Sequence, residues 1–364
     1  MNIKRLMTQK IIFIGPLPPP ITGQSIAFSY IKEIDNIDEQ ILIINTQKYK
    51  IQLLNYFHSL TILPIIILFS SYNKIYFIGS RSKLGFLRQL PYLAIAISKR
   101  IKIINHLHGA DFNSFYNESG IYKGIIKWIY KKVDTSIVLL KEMKDQFKAF
   151  PKMKLEVVPN AISKEFESLA INFPKEKRIL FLSNIMASKG IIEFLTAAKE
   201  LLKDDHSIRI DIAGDFISDN YMTKNQIKKK FFVLFKYLKD SFQERIFYHG
   251  PVSGTKKVDL LKFSSIFILP TYYPTEAYPI SILEAMASGN AIITTKHNYL
   301  EKIISKKHGE TIQIKDSSQI VKSIKKLFTN QQKLQVIQKN NLTHSKKHNI
   351  DKHLNQLYRI ITND

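Results

Sequence analysis

Two glutamates with seven residues between them, Glu276 and Glu284, stand out as residues able to do chemistry. Either one alone would read as an ordinary solvated carboxylate. Their setting argues otherwise, because Glu284 is followed by the small, tightly packed run Ala285-Met286-Ala287-Ser288-Gly289, an unsuitable place for an idle charge. Lys189 is a third candidate. It stands just before Gly190 and a helix start, where a cation and backbone amides together would hold a diphosphate, although a surface cation is the plainer reading in so lysine-rich a chain. His108, with Gly109 and Asp111, forms a polar cluster at the end of an apolar run. Gly23 closes a proline-stiffened loop where a phosphate or sugar could approach the backbone closely, or where the chain simply turns.

The elements that must position these residues follow from periodicity. Residues 264–295 read as strand, loop, helix and strand. An apolar β-branched run at 266–269 is the first strand, Pro279 takes the first helical position, Ile280, Leu283 and Ala287 recur at helical spacing, and Gly289 stops the helix before a strand at 291–293. In such a unit ligands sit beyond the carboxyl ends of the strands, which puts Glu276 at the mouth of a site. Upstream, strands are expected at 11–15, 41–45, 74–79, 101–106 and 135–139, with helices between them. After a crossing near residue 160 the pattern restarts with strands at 178–182, 208–213 and 246–249, and a short strand ends at Gln313 and Ile314. Alternation of this kind predicts an α/β fold of doubly wound parallel sheets.

Composition narrows the function. At 364 residues there is room for two α/β domains. The absence of cysteine excludes disulfides, thiolate catalysis and zinc–sulfur sites, and suits a reducing cytoplasm. The formal charge of +24 admits nucleic acid, anionic lipid or anionic small molecules as partners, or reflects genome composition alone. No helix-turn-helix, RNA-binding or zinc signature supports a basic nucleic-acid-binding protein. The basic N-terminus and the run after it are too short for a signal sequence, and the greasiest stretch, 62–69, falls below the roughly 18 residues of a transmembrane helix.

The stretch 264–295 resembles the E-x7-E signature of retaining glycosyltransferases of family 4 (glycosyl transferases group 1). The lysine-glycine pair Lys189-Gly190, Gly214-Asp215 and the segment 284–289 fall in family-like order. The resemblance implies a GT-B fold: two Rossmann-like doubly wound domains facing a central cleft, with 1–160 binding the acceptor, 161–350 binding the nucleotide sugar, and a helix in 351–364 crossing back to the first domain. It also implies a retaining hexosyltransferase that moves a sugar from a UDP- or GDP-linked donor to a glycan or lipid-linked acceptor in bacterial surface polysaccharide assembly. A GT-B-like nucleotide-sugar epimerase is the alternative, distinguished by turning over its donor without an acceptor.

On that resemblance Glu284 accepts the ribose hydroxyls and Glu276 the sugar hydroxyls. Lys189, the Gly23 backbone and the helix amides near Ile280 meet the diphosphate, with Ala277, Tyr278, Pro279 and Ile280 binding the donor. His108 lies by the transferred sugar as part of a His-Gly-x-Asp element that includes Asp111. Gly250 and Asn184 complete the donor side, Asn184 standing where the family has arginine. Glu276-Ala277-Tyr278 replaces the family's Glu-Gly-Phe, and Ala161 follows Val158-Pro159-Asn160 where the family has glycine. No Asp-x-Asp motif occurs, so no metal and no cofactor is expected, the nucleotide sugar being a substrate.

Between Gln40 and Ala110 there is no acidic residue, while Lys48, Lys50, Arg81, Lys83 and other cations are interleaved with apolar groups. The expectation is a cytoplasmic protein, peripheral on the inner face of the cell membrane, whose first domain docks on an anionic surface.

Overall fold

The computed structural model describes residues 10–34 and 40–362, so the basic residues ahead of Lys10 lie outside it. The chain divides into two units, one running to Asn160 and resuming at Ile350, the other Ala161–Asn349.

The first unit is built on a six-stranded parallel sheet, β1 (Lys10–Gly15), β2 (Gln40–Asn45), β3 (Lys74–Ile78), β4 (Lys102–Leu107), β5 (Thr135–Val138) and β6 (Lys154–Val157), in the order β2-β1-β3-β4-β5-β6. β3 is buried along its whole length, which is why its residues form a near-continuous apolar run rather than an alternating one. Its one cation, Lys74, is buried, and Nζ donates to the carbonyl of Thr362 at 2.8 Å. That bond joins the sheet to the last helix, Ile350–Thr362. Leu357 and Ile361 of the same helix sit in the cluster of Ile11, Phe13, Tyr76 and Ile104, each burial contributing about 1.5–3 kcal/mol. His353 Nδ1 lies 2.8 Å from the carbonyl of Pro159, and Gln356 Nε2 donates to that of Val157 at 2.8 Å.

The second unit repeats the plan with β7 (Arg178–Leu182), β8 (Arg209–Ala213), β9 (Ile246–Tyr248), β10 (Ile266–Leu269), β11 (Ala291–Thr295) and β12 (Gly309–Ile312), in the order β12-β11-β10-β7-β8-β9. The strand order reverses between β7 and β10, and the crevice beyond their carboxyl ends is where such sheets take ligands.

Three expectations are corrected. The last strand ends at Ile312, not at Ile314, because the Gln313 amide is taken by Gln319 Oε1 at 3.0 Å and Lys315 turns to φ +58. Pro279 is the extended cap (ψ 123) and Ile280 the first helical residue. The reading that no segment is long and apolar enough to span a membrane is also overturned. A helix runs without interruption over Gln52–Phe69, π-wound at His58–Ile62, and its 18 residues are long and apolar enough to cross a membrane by length and composition. Pro64 does not break it, because it sits in the first turn after the π segment.

Candidate active site

Gly190 is the hinge on which the second unit's site turns. It has φ +76, and a Cβ there would lie 2.2 Å from the carbonyl oxygen of Pro270, so only glycine lets the loop after β7 pass this close to the loop after β10. The two loops are laced together. Tyr272 N–H donates to the Ser188 carbonyl at 2.7 Å, and Ser188 N–H is held in turn by Asp219 Oδ2 of the loop after β8 at 2.7 Å. Lys189, last residue of the β7 loop, is thereby delivered to Glu276 in the β10 loop.

Lys189 Nζ lies 2.5 Å from Glu276 Oε2, with the two side chains 13% and 9% exposed. Thr271 Oγ1 donates to the same carboxylate oxygen at 3.1 Å, and the Lys189 ammonium stands 4.8 Å from the centre of the Tyr273 ring. Asn298 Nδ2 holds the backbone of the loop through the carbonyls of Pro274 (3.0 Å) and Glu276 (2.9 Å). A compact cation–carboxylate pair thus sits at the reversal point of the sheet. It can meet an anion with the ammonium and hydroxyls with the carboxylate.

Glu284 lies on the helix Ile280–Ala287, 3% exposed, and takes a 2.5 Å hydrogen bond from Lys257 Nζ on the helix Gly254–Phe263. Burial pushes its carboxyl above the usual range, and Lys257 opposes that rise without cancelling it. Ala277, Tyr278, Pro279 and Ile280 form the buried lead into this helix. The Tyr278 side chain is turned away to His348, with Oη 3.1 Å from Nε2, which leaves its backbone as the part able to serve a ligand. Asn184 is the second residue beyond β7. Gly250 follows β9, the edge strand two places from β7, and its carbonyl accepts from Gly214 N–H at 2.8 Å. The structure therefore brings together Lys189, Glu276 and the start of the helix that carries Glu284, and ties Gly250 through Gly214 to the end of β7, where a Cβ on Gly214 would fall 3.4 Å from Asn184 Cα.

In the first unit the His108 element lies beyond β4. Its ring packs on that of His106 with centroids 4.1 Å apart, and His106 Nδ1 is 2.5 Å from the Tyr76 hydroxyl. Burial, with Arg81 nearby, holds His108 down to about 3, so the imidazole is neutral at physiological pH. Its Nε2 is enclosed and has no hydrogen-bond partner among the described residues.

Asp111, the acid of the same element, has a charge partner within its own unit. It pairs with Arg81 in the loop after β3 at 2.5 Å, and burial still raises its carboxyl against that attraction. Arg81 is correspondingly not a free surface cation. A Cβ on Gly109 would fall 2.3 Å from Arg81 Cζ, which gives the glycine of the His-Gly-x-Asp element a steric reason within this chain. Gly23 has no such reason: a Cβ there meets nothing within 4 Å, so any need for glycine would come from outside the chain.

Sequence reasoning missed Lys257, Asn298 and the pairing role of Arg81. Lys257 is one of many lysines. Arg81 alone carried a local signal, as a cation just past a strand end and a glycine.

Residues 163–344, half of the chain, match the family described as glycosyl transferases group 1. The alpha-monoglucosyldiacylglycerol synthase of Streptococcus pneumoniae is 27% identical over 132 residues, which are 36% of this chain and 27% of that enzyme, so the shared stretch spans about a quarter of the relative's length. Among solved structures, Anabaena HepE in complex with UDP and glucose superposes with a TM-score of 0.72 at 13% identity, over 98% of this chain and all of that one. A glycosyltransferase from Rickettsia africae does so with a TM-score of 0.68 at 17% identity, over 98% of this chain and 100% of that one. At such identities the likeness establishes the fold, which is that of the GT-B glycosyltransferases.

Proposed function

The chain belongs to the glycosyl transferases group 1 family, and on that premise we propose that it is a retaining family 4 hexosyltransferase acting on a nucleotide diphosphate sugar. The observation that carries the reading is the Lys189–Glu276 pair at the reversal point of the second sheet. A departing nucleoside diphosphate gains negative charge, and a half-enclosed ammonium beside helix-start amides stabilises that charge where it develops. As the diphosphate engages Lys189, Glu276 gives up part of its cation and turns its oxygens to sugar hydroxyls. Glu284, paired with Lys257, accepts the ribose hydroxyls. Neutral His108 is a hydrogen-bonding group for the sugar rather than an acid.

Because the diphosphate charge falls to Lys189 and backbone amides, transfer is expected to need no metal. Two-carboxylate hydrolase logic does not apply to Glu276 and Glu284, since retention here proceeds on one face with the leaving phosphate taking the acceptor proton. UDP or GDP carries the sugar, HepE being a neighbour whose structure contains UDP and glucose. The acceptor is a glycan or lipid-linked glycan of a bacterial surface polysaccharide, and the partial likeness to a glycolipid synthase supports the lipid-linked form.

The test is incubation with a panel of UDP- and GDP-sugars and lipid-linked acceptors in excess EDTA, with the product read by NMR. Transfer with the donor's anomeric configuration supports the reading. Inversion, or recovery of activity only with added magnesium or manganese, contradicts it. Donor conversion without acceptor indicates the epimerase instead.

A further inference from the structure

The helix Gln52–Phe69 presents its apolar residues to the outside. A surface helix of a soluble domain turns its apolar stripe inward and its polar face to water. Here the outward positions include Leu53 (74% exposed), Phe57 (60%), Ile65 (55%), Leu68 (48%) and Phe69 (82%). Between Lys50 and Lys74 the sequence holds no charged residue. Leu84, which opens the exposed start of the next helix, Lys83–Ser98, is apolar and outward as well.

The inward side of the same helix is occupied. Leu63, Pro64 and Ile67 are buried, and the Asn55 side chain holds both the amide (2.8 Å) and the carbonyl (2.7 Å) of Tyr49. Lys99 Nζ fastens the far end by donating to the carbonyls of Ile67 (3.0 Å), Leu68 (2.7 Å) and Ser70 (2.7 Å). A helix packed along one side and tied at both ends cannot leave its unit to span a bilayer.

We propose that this outward face inserts into an anionic lipid bilayer with the helix lying in the membrane plane, its apolar side chains below the headgroups. Lys48, Lys50 and Lys83 are exposed cations flanking the face, and Arg88 stands over the Tyr56 ring at 5.4 Å. These meet anionic headgroups. Three other cations of the acid-free stretch are spent inside the unit, Lys74 on Thr362, Arg81 on Asp111 and Lys99 on the helix end. Apolar insertion therefore contributes more than charge, and binding resists salt more than a purely electrostatic contact does. A second copy of this chain is a poor occupant, since two such faces would bring like charges together with no acidic residue from Gln40 to Ala110 to offset them. The inference stands independently of what the chain transfers.

The test is sedimentation of the full chain with phosphatidylcholine vesicles and with phosphatidylcholine–phosphatidylglycerol vesicles, at low and high salt. The wild type should bind the anionic vesicles and keep part of that binding at high salt. Leu53→Ser/Phe57→Ser/Phe69→Ser should lower partition by about tenfold or more with an unchanged Tm, the side chains being exposed. Lys48→Glu/Lys50→Glu/Lys83→Glu should remove the preference for anionic lipid. The proposal is overturned if the wild type sediments with neither vesicle, or if the triple serine variant binds like wild type. It is equally overturned if sedimentation velocity shows a wild-type dimer that the serine variant abolishes without any lipid binding.

Discussion

Lys257 donates from Nζ to Glu284 Oε1 across 2.5 Å, and this bond opposes the rise that burial imposes on a carboxyl that is 3% exposed. The Glu284 carboxyl is raised in the folded chain, so its contribution to stability is fully present below the ordinary value near 4.5 and lost as pH rises through the folded value. Lys257→Met removes the opposing attraction and lifts the folded value further. The variant should therefore lose more stability relative to wild type at pH 7.5 than at pH 4.5, about 3–5 kcal/mol at the higher pH if the charge is left uncompensated. Thermal melts at the two pH values check this. An equal loss at both would show that Lys257 does not support the charge of Glu284.

Lys189 and Glu276 form a second enclosed pair, which changes what a substitution costs. Read as a surface cation, Lys189 could be lost with little effect on stability. The geometry adds a stability cost, because Lys189→Met leaves Glu276 enclosed without its cation. Adding Glu276→Gln should recover most of the stability and none of the turnover, which should fall about 10²–10³-fold from loss of charge stabilisation. Melts and kcat on the two single variants and the double variant form the cycle. A fully active Lys189→Met chain would remove the lysine from the chemistry.

The strand–loop–helix–strand unit around Glu276 was legible in the sequence because its apolar runs, Pro279 and Gly289 are local signals, and the structure departs from that reading there at the helix start, by one residue, and at the end of β11, which runs on to Thr295. Lys189 was legible for the same reason, standing beside a glycine at a helix start. The charge partners were not. Lys257 and Glu284 are brought together by the packing of two helices, and Arg81 and Asp111 by neighbouring parallel strands, neither of which a pattern along the chain records. The end of β12 was misread because Gln313 and Ile314 continue the strand's alternation, while a side-chain acceptor from the following helix takes the amide that would have extended the ladder.

Gly109 should be replaceable only at the expense of the Arg81–Asp111 pair. The guanidinium is a flexible group and can move aside from a new Cβ, so the steric cost of Gly109→Ala is small, and the loss comes from a half-buried Asp111 left alone, about 1–3 kcal/mol. Gly109→Ala and Arg81→Ala should then be far from additive. Denaturant melts of the double variant check it, and strict additivity would mean that the two residues do not communicate.

His108 should show no ionisation between pH 5 and 8. Its folded pKa is held down to about 3, so the stability it contributes is present above the ordinary value of 6.5 and is lost as pH falls through the folded one. Acid melts of His108→Asn should accordingly fall less steeply than wild type below pH 6.5. Imidazole NMR that titrates His108 near 6.5 would contradict the enclosure on which its role as a neutral hydrogen-bonding group depends.

The central claim, that Glu284 and Lys189 together hold a nucleoside diphosphate, is tested most directly by calorimetric binding of UDP and GDP, in EDTA, to wild type and to Glu284→Gln. The account predicts that one of the two nucleotides binds wild type without metal, and that a Glu284→Gln chain with native secondary structure binds it about 10- to 150-fold more weakly, the 1.5–3 kcal/mol of hydrogen bonds to a charged group. Unchanged affinity in that variant, or no binding of either nucleotide by wild type, would contradict it.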